Sequence, residues 1–505
     1  MEVGFGLYDW LIFATYFLLL ISASVFLADK KIATSREFFI ASNSMPTFAV
    51  AISLLATAQS AATFLGAPEF SYKFDLTLIG FSVTSLIAIY IVANVLIPRF
   101  YAIKALSVYE LLKHKYDENA SRNVGIMFLV GRVFASGARL YIAALALSMI
   151  LFYDISLPNI IISVMILIFG ALIFTYFGGV KSVIFSDILQ AFVYVGAGVA
   201  VLFYLYAALN MEFSTMISSL NEAEKLKFID FDLSFSNEGK FNIYGLLTGY
   251  LLLNIAAFGL DQDLTQRVLS CKTQKEAKLS LYSATLISIP VSLLFLSIGL
   301  LLYLYYQEHQ VAQKFAGESV TIFMYFILNE MPEGLKGFVT IGAIAAALSS
   351  TNSVLGAMSS VAIEDIYKPY RLKKQPTTSE LHFVKIAKIM VLVFAVALSI
   401  MAVLSYIVHS MSDVPLISFA LGVMAYAYSG LLGVFASAIF TSRGNSKLIP
   451  YALAGGFFSV LSMQGYIFGL DIGFSWQLVI GTMVSFMIMQ IGKNTHTKTL
   501  LANKH

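Results

Sequence analysis

Five consecutive polar residues, Ser349, Ser350, Thr351, Asn352 and Ser353, interrupt an otherwise apolar stretch from Thr340 to Tyr367. On a helix Ser349, Asn352 and Ser353 share one face at i, i+3 and i+4, while the others turn their oxygens elsewhere. Neutral oxygens packed at short distance suit a hard monovalent cation, and hydroxyls and unwound carbonyls supply them without the full cost of a buried charge. Close helix packing is the competing explanation, and it accounts for a pair of serines better than for a run of five. A second polar cluster, Thr57, Gln59, Ser60 and Thr63, lies within FAVAISLLATAQSAATFLGAP, from Phe48 to Pro68. Asp187 stands in FSDILQAFVY, where it reads either as a helix-start residue or as a cation or proton site, Ser186 being able to cap in its place. Arg132 and Arg139 are two helical turns apart and share a face, so both can reach one polar cavity. Their planar donor forks suit a carboxylate on a solute, the reading favoured for at least one of them, with an acid or carbonyl within the protein as the alternative. Asn254, Gly259, Asp261 and Asp263 mark a polar, weakened stretch in LLLNIAAFGLDQDLTQR. Tyr426 and Tyr428, in GVMAYAYSG, are candidates for an aromatic gate or platform, with interior packing as the alternative.

These residues need elements that hold them away from water. Of 505 residues, 59% are hydrophobic and 12% charged, against roughly 25% charged for a soluble domain. Too few charges exist to clothe soluble domains of this total length, so the apolar surface must face lipid. Net charge is +3 with both signs scattered, which gives nucleic acid no basic stripe to bind. One cysteine, Cys271, permits no internal disulfide, and the six histidines lack metal-ligand spacing. No GxxxxGK[ST] loop is present to cradle a nucleotide, so any energy source would be an ion gradient, and no constellation suggests an enzyme.

About thirteen apolar segments reach membrane-crossing length: 8–27, 46–68, 76–98, 123–152, 158–177, 184–208, 241–262, 279–306, 335–363, 385–407, 414–440, 448–468 and 473–492. The first has acids before it and Lys30, Lys31 and Arg36 after it, the wrong polarity for a cleaved signal peptide. With the N-terminus outside and the C-terminus cytoplasmic, about 24 basic residues fall inside, Arg267 among them, and about six outside. A miscounted span would scramble that split. Stretch 100–118 is amphipathic and is expected either as a short helix along the inner surface or as a plain connector.

Four motifs together resemble the sodium/solute symporter family: ATAQSAATFLGAP (Ala56 to Pro68), FGGVKSVIFSDILQ (Phe177 to Gln190), LDQDLTQRVLSCK (Leu260 to Lys272), and AIAAALSSTNS with the later EDIY (Glu364 to Tyr367). The resemblance runs through nearly the whole chain in order. It implies an all-α integral membrane protein of the leucine-transporter type, with inverted repeats at 46–208 and 241–440 and peripheral helices at 8–27 and 448–492. It implies a main sodium site made of the carbonyls of Ala56, Gln59 and Ala346 and the hydroxyls of Ser349 and Ser350. A second sodium, held by some members, would use Asp187, Ser349, Asn352 and Ser353, although Asn352 stands where the sialic acid carriers have serine. For the solute it implies Thr57, Ser60, Thr63, Asn254 and Phe258. Phe81 stands at a glutamine position of the sialic acid carriers, and their arginine matches either Arg132 or Arg139; Tyr426 joins as the aromatic candidate. The expectation is a monomeric, sodium-coupled importer in the plasma (inner) membrane, taking a carboxylate-bearing solute such as a sialic acid, amino acid or monocarboxylate. A sugar or polyol symporter and a transporter-like nutrient sensor are the alternatives.

Overall fold

The computed structural model describes residues 5–27, 32–236, 241–308, 322–410, 416–464, 468, 470 and 472–493. Among the described residues the regular elements are helical, apart from isolated bridges such as that between Met45 and Cys271. Among the described residues eight helices are long and apolar enough to cross a membrane alone, two bent pairs are so as broken spans, and three apolar helices are shorter. In chain order they fall one for one on the thirteen apolar segments.

The elements used below are α1 (Leu7–Leu27), α2 (Thr47–Ala58), α3 (Ala61–Lys73), α4 (Ile79–Ala102), α5 (Glu118–Phe152), α6 (Leu157–Leu172), α7 (Gly178–Leu209), α8 (Ile243–Gly259), α9 (Gln262–Leu269), α10 (Gln274–Glu308), α11 (Leu335–Lys374), α12 (Glu380–His409), α13 (Leu416–Phe440), α14 (Ile449–Ser462) and α15 (Phe474–Ile491).

Composition decides which of these sit inside. In α11, rich in Ala, Ser and Gly, 94% of the apolar window is buried; in α12, rich in Val, Leu and Ile, 28% is. The small side chains of α11 allow neighbours on every side, and it packs against α6, α7, α5 and α12. On the lipid side, Phe169, Phe203, Val396 and Ile400 are exposed, as an apolar solvent permits. The polar run of α11 is thus enclosed by other helices.

Segments five and six run on through a kink at Gly179, whose φ of +59° suits a residue without Cβ. A Cβ there would also lie 2.8 Å from the Phe38 carbonyl.

Stretch 100–118 is neither a continuous surface helix nor a plain connector: between the end of α4 at Ala102 and the start of α5 at Glu118, the α-helical part is Glu110–Lys115. Tyr109 is fully buried and donates to the Leu260 carbonyl at 3.0 Å. The Gln262 amide holds both the Val108 N–H (3.0 Å) and the Leu106 carbonyl (2.9 Å). The segment therefore plugs into the gap between α8 and α9, because that gap leaves backbone groups in need of partners.

Asp9 of α1 is fully buried and works at a distance. Its Oδ1 accepts from the Gly334 N–H at 2.8 Å and the Gly337 N–H at 2.7 Å. The N-cap position of α11 is Gly334, which has no side chain to cap with, so Asp9 supplies the cap from another helix.

Candidate functional site

Two breaks build the site. After Ala58 the chain turns extended at Gln59 (φ −79°, ψ 134°) and Ser60 (φ −139°, ψ 175°), and α3 leaves at 55° to α2. Gln59 N–H still bonds the Leu55 carbonyl at 2.9 Å, but the carbonyls beyond it have no continuing helix to donate to them. The second break lies at Leu260 and Asp261, with α9 at 49° to α8; the Asp261 side chain caps the new helix by accepting from Asp263 N–H at 3.0 Å. Each break frees backbone oxygen or nitrogen inside the bundle, which is how membrane helices make polar sites.

The residues expected to hold the main sodium are all buried: Ala56 and Gln59 at the end of α2, and Ala346, Ser349 and Ser350 on α11, against which α2 packs. Thr57 Oγ1 lies 3.4 Å from Ser353 Oγ across that contact. Ser350 Oγ bonds back to the carbonyls of Ala346 and Ala347, both at 3.1 Å. Ser349 instead turns outward and donates to Asp187 Oδ1 at 2.7 Å.

Of the four residues for a second ion, three converge. Asp187 lies well inside α7 and is fully buried, so it is no helix cap. Its Oδ2 accepts from Ser53 Oγ at 2.5 Å and pairs with Arg267 Nη2 at 3.2 Å, and the same Nη2 donates to Ser353 Oγ. Asn352 faces away, its side-chain amide set against the carbonyls of Ala171 (3.1 Å) and Leu348 (3.2 Å) as a donor to both. Arg267, counted from sequence among the cytoplasmic basic residues, is instead one of the most deeply buried large side chains.

Beside this lies a cavity of about 130 Å³, measured as the space open to the centres of water molecules. Thr57, Ser60, Thr63, Phe81, Arg132, Arg139, Asn254 and Phe258 all line it. Met424 of α13 lines it as well, whereas Tyr426 lies outside it with its ring 5.5 Å from that of Phe457. Asn254 Nδ2 donates to the Phe81 carbonyl at 3.2 Å, tying α8 to α4.

The two arginines in the wall differ in their partners. Arg132, 3% exposed, lies 3.2 Å from Asp261 Oδ2 through Nη1 and bonds Asp263 through Nη2. Tyr428 donates to the same Asp261 oxygen. Arg139, one face-repeat along α5, has no carboxylate partner among the described residues; its Nη2 contacts the Met424 sulfur at 3.4 Å. The wall therefore carries one neutralised guanidinium and one still able to bind an anion. Asp261 and Asp263, marked from sequence only as part of a weakened stretch, line the cavity, and Arg267 and Ser53, to which sequence reasoning gave no role here, stand behind it.

The model of the sodium:solute symporter family matches residues 38–458. The chain is 26% identical over 480 residues to the sodium/sialic acid symporter SiaT of Proteus mirabilis, covering 95% of this chain and 93% of that protein. It is 27% identical over 461 residues to the human sodium-coupled monocarboxylate transporter 1, covering 90% and 72%. Its fold matches a structure of a Na+-coupled sialic acid symporter in a substrate-bound outward-open state with a TM-score of 0.82, at 24% identity and 97% and 98% coverage. Mhp1, a nucleobase-cation-symport-1 family transporter, matches with a TM-score of 0.54 at 14% identity, covering 92% and 95%. Two broken spans around enclosed oxygens and a matched family model over most of the chain lead to one conclusion: this is a multi-pass, sodium-coupled transporter, not an enzyme, and it belongs to the sodium:solute symporter family.

Proposed function

We propose that the chain imports a small carboxylate-bearing solute with sodium by alternating access, working as a monomer in the plasma (inner) membrane with its N-terminus outside and C-terminus cytoplasmic. The observation that carries the solute class is Arg139, a guanidinium on the cavity wall with no carboxylate partner among the described residues. A half-buried guanidinium at membrane depth is costly until an anion arrives, so the site selects for one. The relatives named for sialic acid and monocarboxylate transport support this reading, because both solutes carry a carboxylate.

Sodium is assigned to the carbonyls of Ala56, Gln59 and Ala346 and the hydroxyls of Ser349 and Ser350. Binding there would hold α2 against α11, favour the outward-open state and order the solute site; low cytoplasmic sodium then empties it and frees the solute. Residues 46–208 and 241–440 serve as the two repeats that rock against each other, with 8–27 and 448–492 peripheral. One sodium per solute is the proposed stoichiometry, since Arg267 already supplies positive charge to Asp187 and Ser353. One sodium with a monoanion is electroneutral. Accumulation in proteoliposomes should therefore follow the sodium gradient and ignore an imposed membrane potential.

The test is uptake into proteoliposomes of labelled sialic acids, amino acids, monocarboxylates, sugars and polyols, with and without an inward sodium gradient. Sodium-dependent accumulation of an acid is the expected result, and accumulation of a neutral sugar alone would overturn the role given to Arg139. Ser350→Ala should raise the sodium concentration for half-maximal uptake about tenfold, the worth of one lost oxygen ligand at roughly 1 to 1.5 kcal/mol. An unchanged sodium dependence would reject Ser350 as a ligand.

A further inference from the structure

Between the solute cavity and the serines of α11 lies an unbroken chain of buried polar contacts. Arg132 bonds Asp263 at the cavity wall. The other oxygen of Asp263 takes Arg267 Nη1 at 3.2 Å, and its carbonyl takes the same nitrogen at 2.8 Å. Arg267 Nη2 then reaches Asp187 Oδ2 at 3.2 Å, while its Nε donates to Ser53 Oγ at 2.8 Å. Asp187 Oδ1 ends the chain by accepting the Ser349 proton at 2.7 Å. None of Arg132, Asp263, Arg267, Asp187, Ser53 or Ser349 is more than 3% exposed.

Two physical consequences follow from that geometry. Ser349 has one proton, and it is committed to Asp187, so its lone pairs are fixed in direction and enriched by the carboxylate. Asp187 therefore prepares Ser349 to ligate a cation without having to touch the cation itself. Second, these side chains are at most 3% exposed, so a charge shift at the cavity end is only weakly screened by bulk solvent and is taken up largely by the next partner.

We propose that Arg267 is a positioning residue that couples solute occupancy to sodium affinity, its fork tying Asp263 at the cavity to Asp187 behind Ser349. The inference rests on the sodium and solute assignments made above. A solute carboxylate at Arg139 also attracts the neighbouring Arg132, two turns away on the same helix. Arg132 then leans less on Asp263, and Asp263 holds Arg267 more firmly. Arg267 in turn presses less on Asp187, whose charge is freed to polarise Ser349. The coupling is positive and reciprocal: solute raises sodium affinity, and sodium raises solute affinity by the same factor.

The experiment is equilibrium binding of radiolabelled sodium to the purified full-length protein, with and without saturating lactate or N-acetylneuraminate, whichever the uptake panel identifies. In the wild type the solute should raise sodium affinity about tenfold, within the usual range of such couplings. Arg267→Lys keeps the charge but replaces a fork with a single point, which reaches one carboxylate at a time. It should still bind sodium and solute separately, with the coupling reduced to less than about twofold. Asp263→Asn, nearly isosteric, should lose the coupling in the same way, and Asp263→Glu should recover part of it; this pair gives the answer if Arg267→Lys does not fold. Coupling of about tenfold retained in Arg267→Lys or Asp263→Asn overturns the proposal. So does a wild type in which both ligands bind with no mutual effect, and that result leaves the symport reading intact. A wild type that binds no sodium overturns the symport reading itself.

Discussion

Arg139→Gln is expected to lower the efficiency of sodium-driven uptake of the acid at least thirtyfold while leaving the protein folded. Losing one partner of a buried, charge-assisted contact typically removes 2 to 5 kcal/mol, or roughly thirtyfold to several thousandfold in affinity. Glutamine keeps a donor at similar reach but no charge and no fork, so residual binding at high solute concentration is expected. The fold should survive because no carboxylate among the described residues leans on Arg139; its polar contact is with the Met424 sulfur at 3.4 Å. Initial uptake rates across a range of solute concentrations, beside a thermal unfolding curve in detergent, check both halves. Unchanged uptake would remove Arg139 from the solute site.

Arg132→Met should do the reverse. Asp261 and Asp263 are each 1% exposed and both rely on Arg132, so removing it leaves neighbouring carboxylates without that counter-charge. Breaking a buried ion cluster in this way costs about 3 to 5 kcal/mol. Arg132→Met is therefore expected to unfold at markedly lower temperature and to give little monodisperse protein. Adding Asp261→Asn and Asp263→Asn should restore much of the stability, because the loss comes from stranded charge more than from lost attraction. Fluorescence-detected size exclusion across a temperature series reads this directly. A stable Arg132→Met together with an unstable Arg139→Met would exchange the roles of the two arginines.

The ambiguity between those arginines shows where sequence reasoning runs out. Their spacing placed both on one face, and both do line one cavity. What separates them is their partners, contributed by the break between α8 and α9, and periodicity along α5 carries no information about another helix. The polar clusters of α2, α3 and α11 were legible because oxygen at membrane depth is costly enough to stand out from its neighbours. Arg267 was hidden by the opposite rule: basic residues near a span end are ordinarily cytoplasmic. Its one local signal was Asp263 four residues before it, the spacing of an intrahelical ion pair, realised here at 3.2 Å. Tyr426 fell to helical phase. Met424 and Tyr428, at i and i+4, face the cavity and the Asp261 carboxylate respectively, and the residue between them points to the other side. The segment order and the all-helical fold were readable throughout, since lipid leaves the backbone few alternatives.

The cap that Asp9 places on α11 has a cost in time. The two contacts that its Oδ1 accepts join residues 325 and 328 positions apart in the chain. At ribosomal rates of 5 to 20 residues per second, roughly 15 to 65 seconds separate the synthesis of Asp9 from that of Gly334. Through that interval α1 carries a carboxylate of which one oxygen has Gly6 N–H for a partner and the other has partners that do not yet exist. Its resting place must meanwhile be water, a headgroup or the insertion machinery, and not the hydrocarbon interior. Helix α1 would then be among the last to settle, and the N-terminal end of the serine-bearing helix would be finished only when it does.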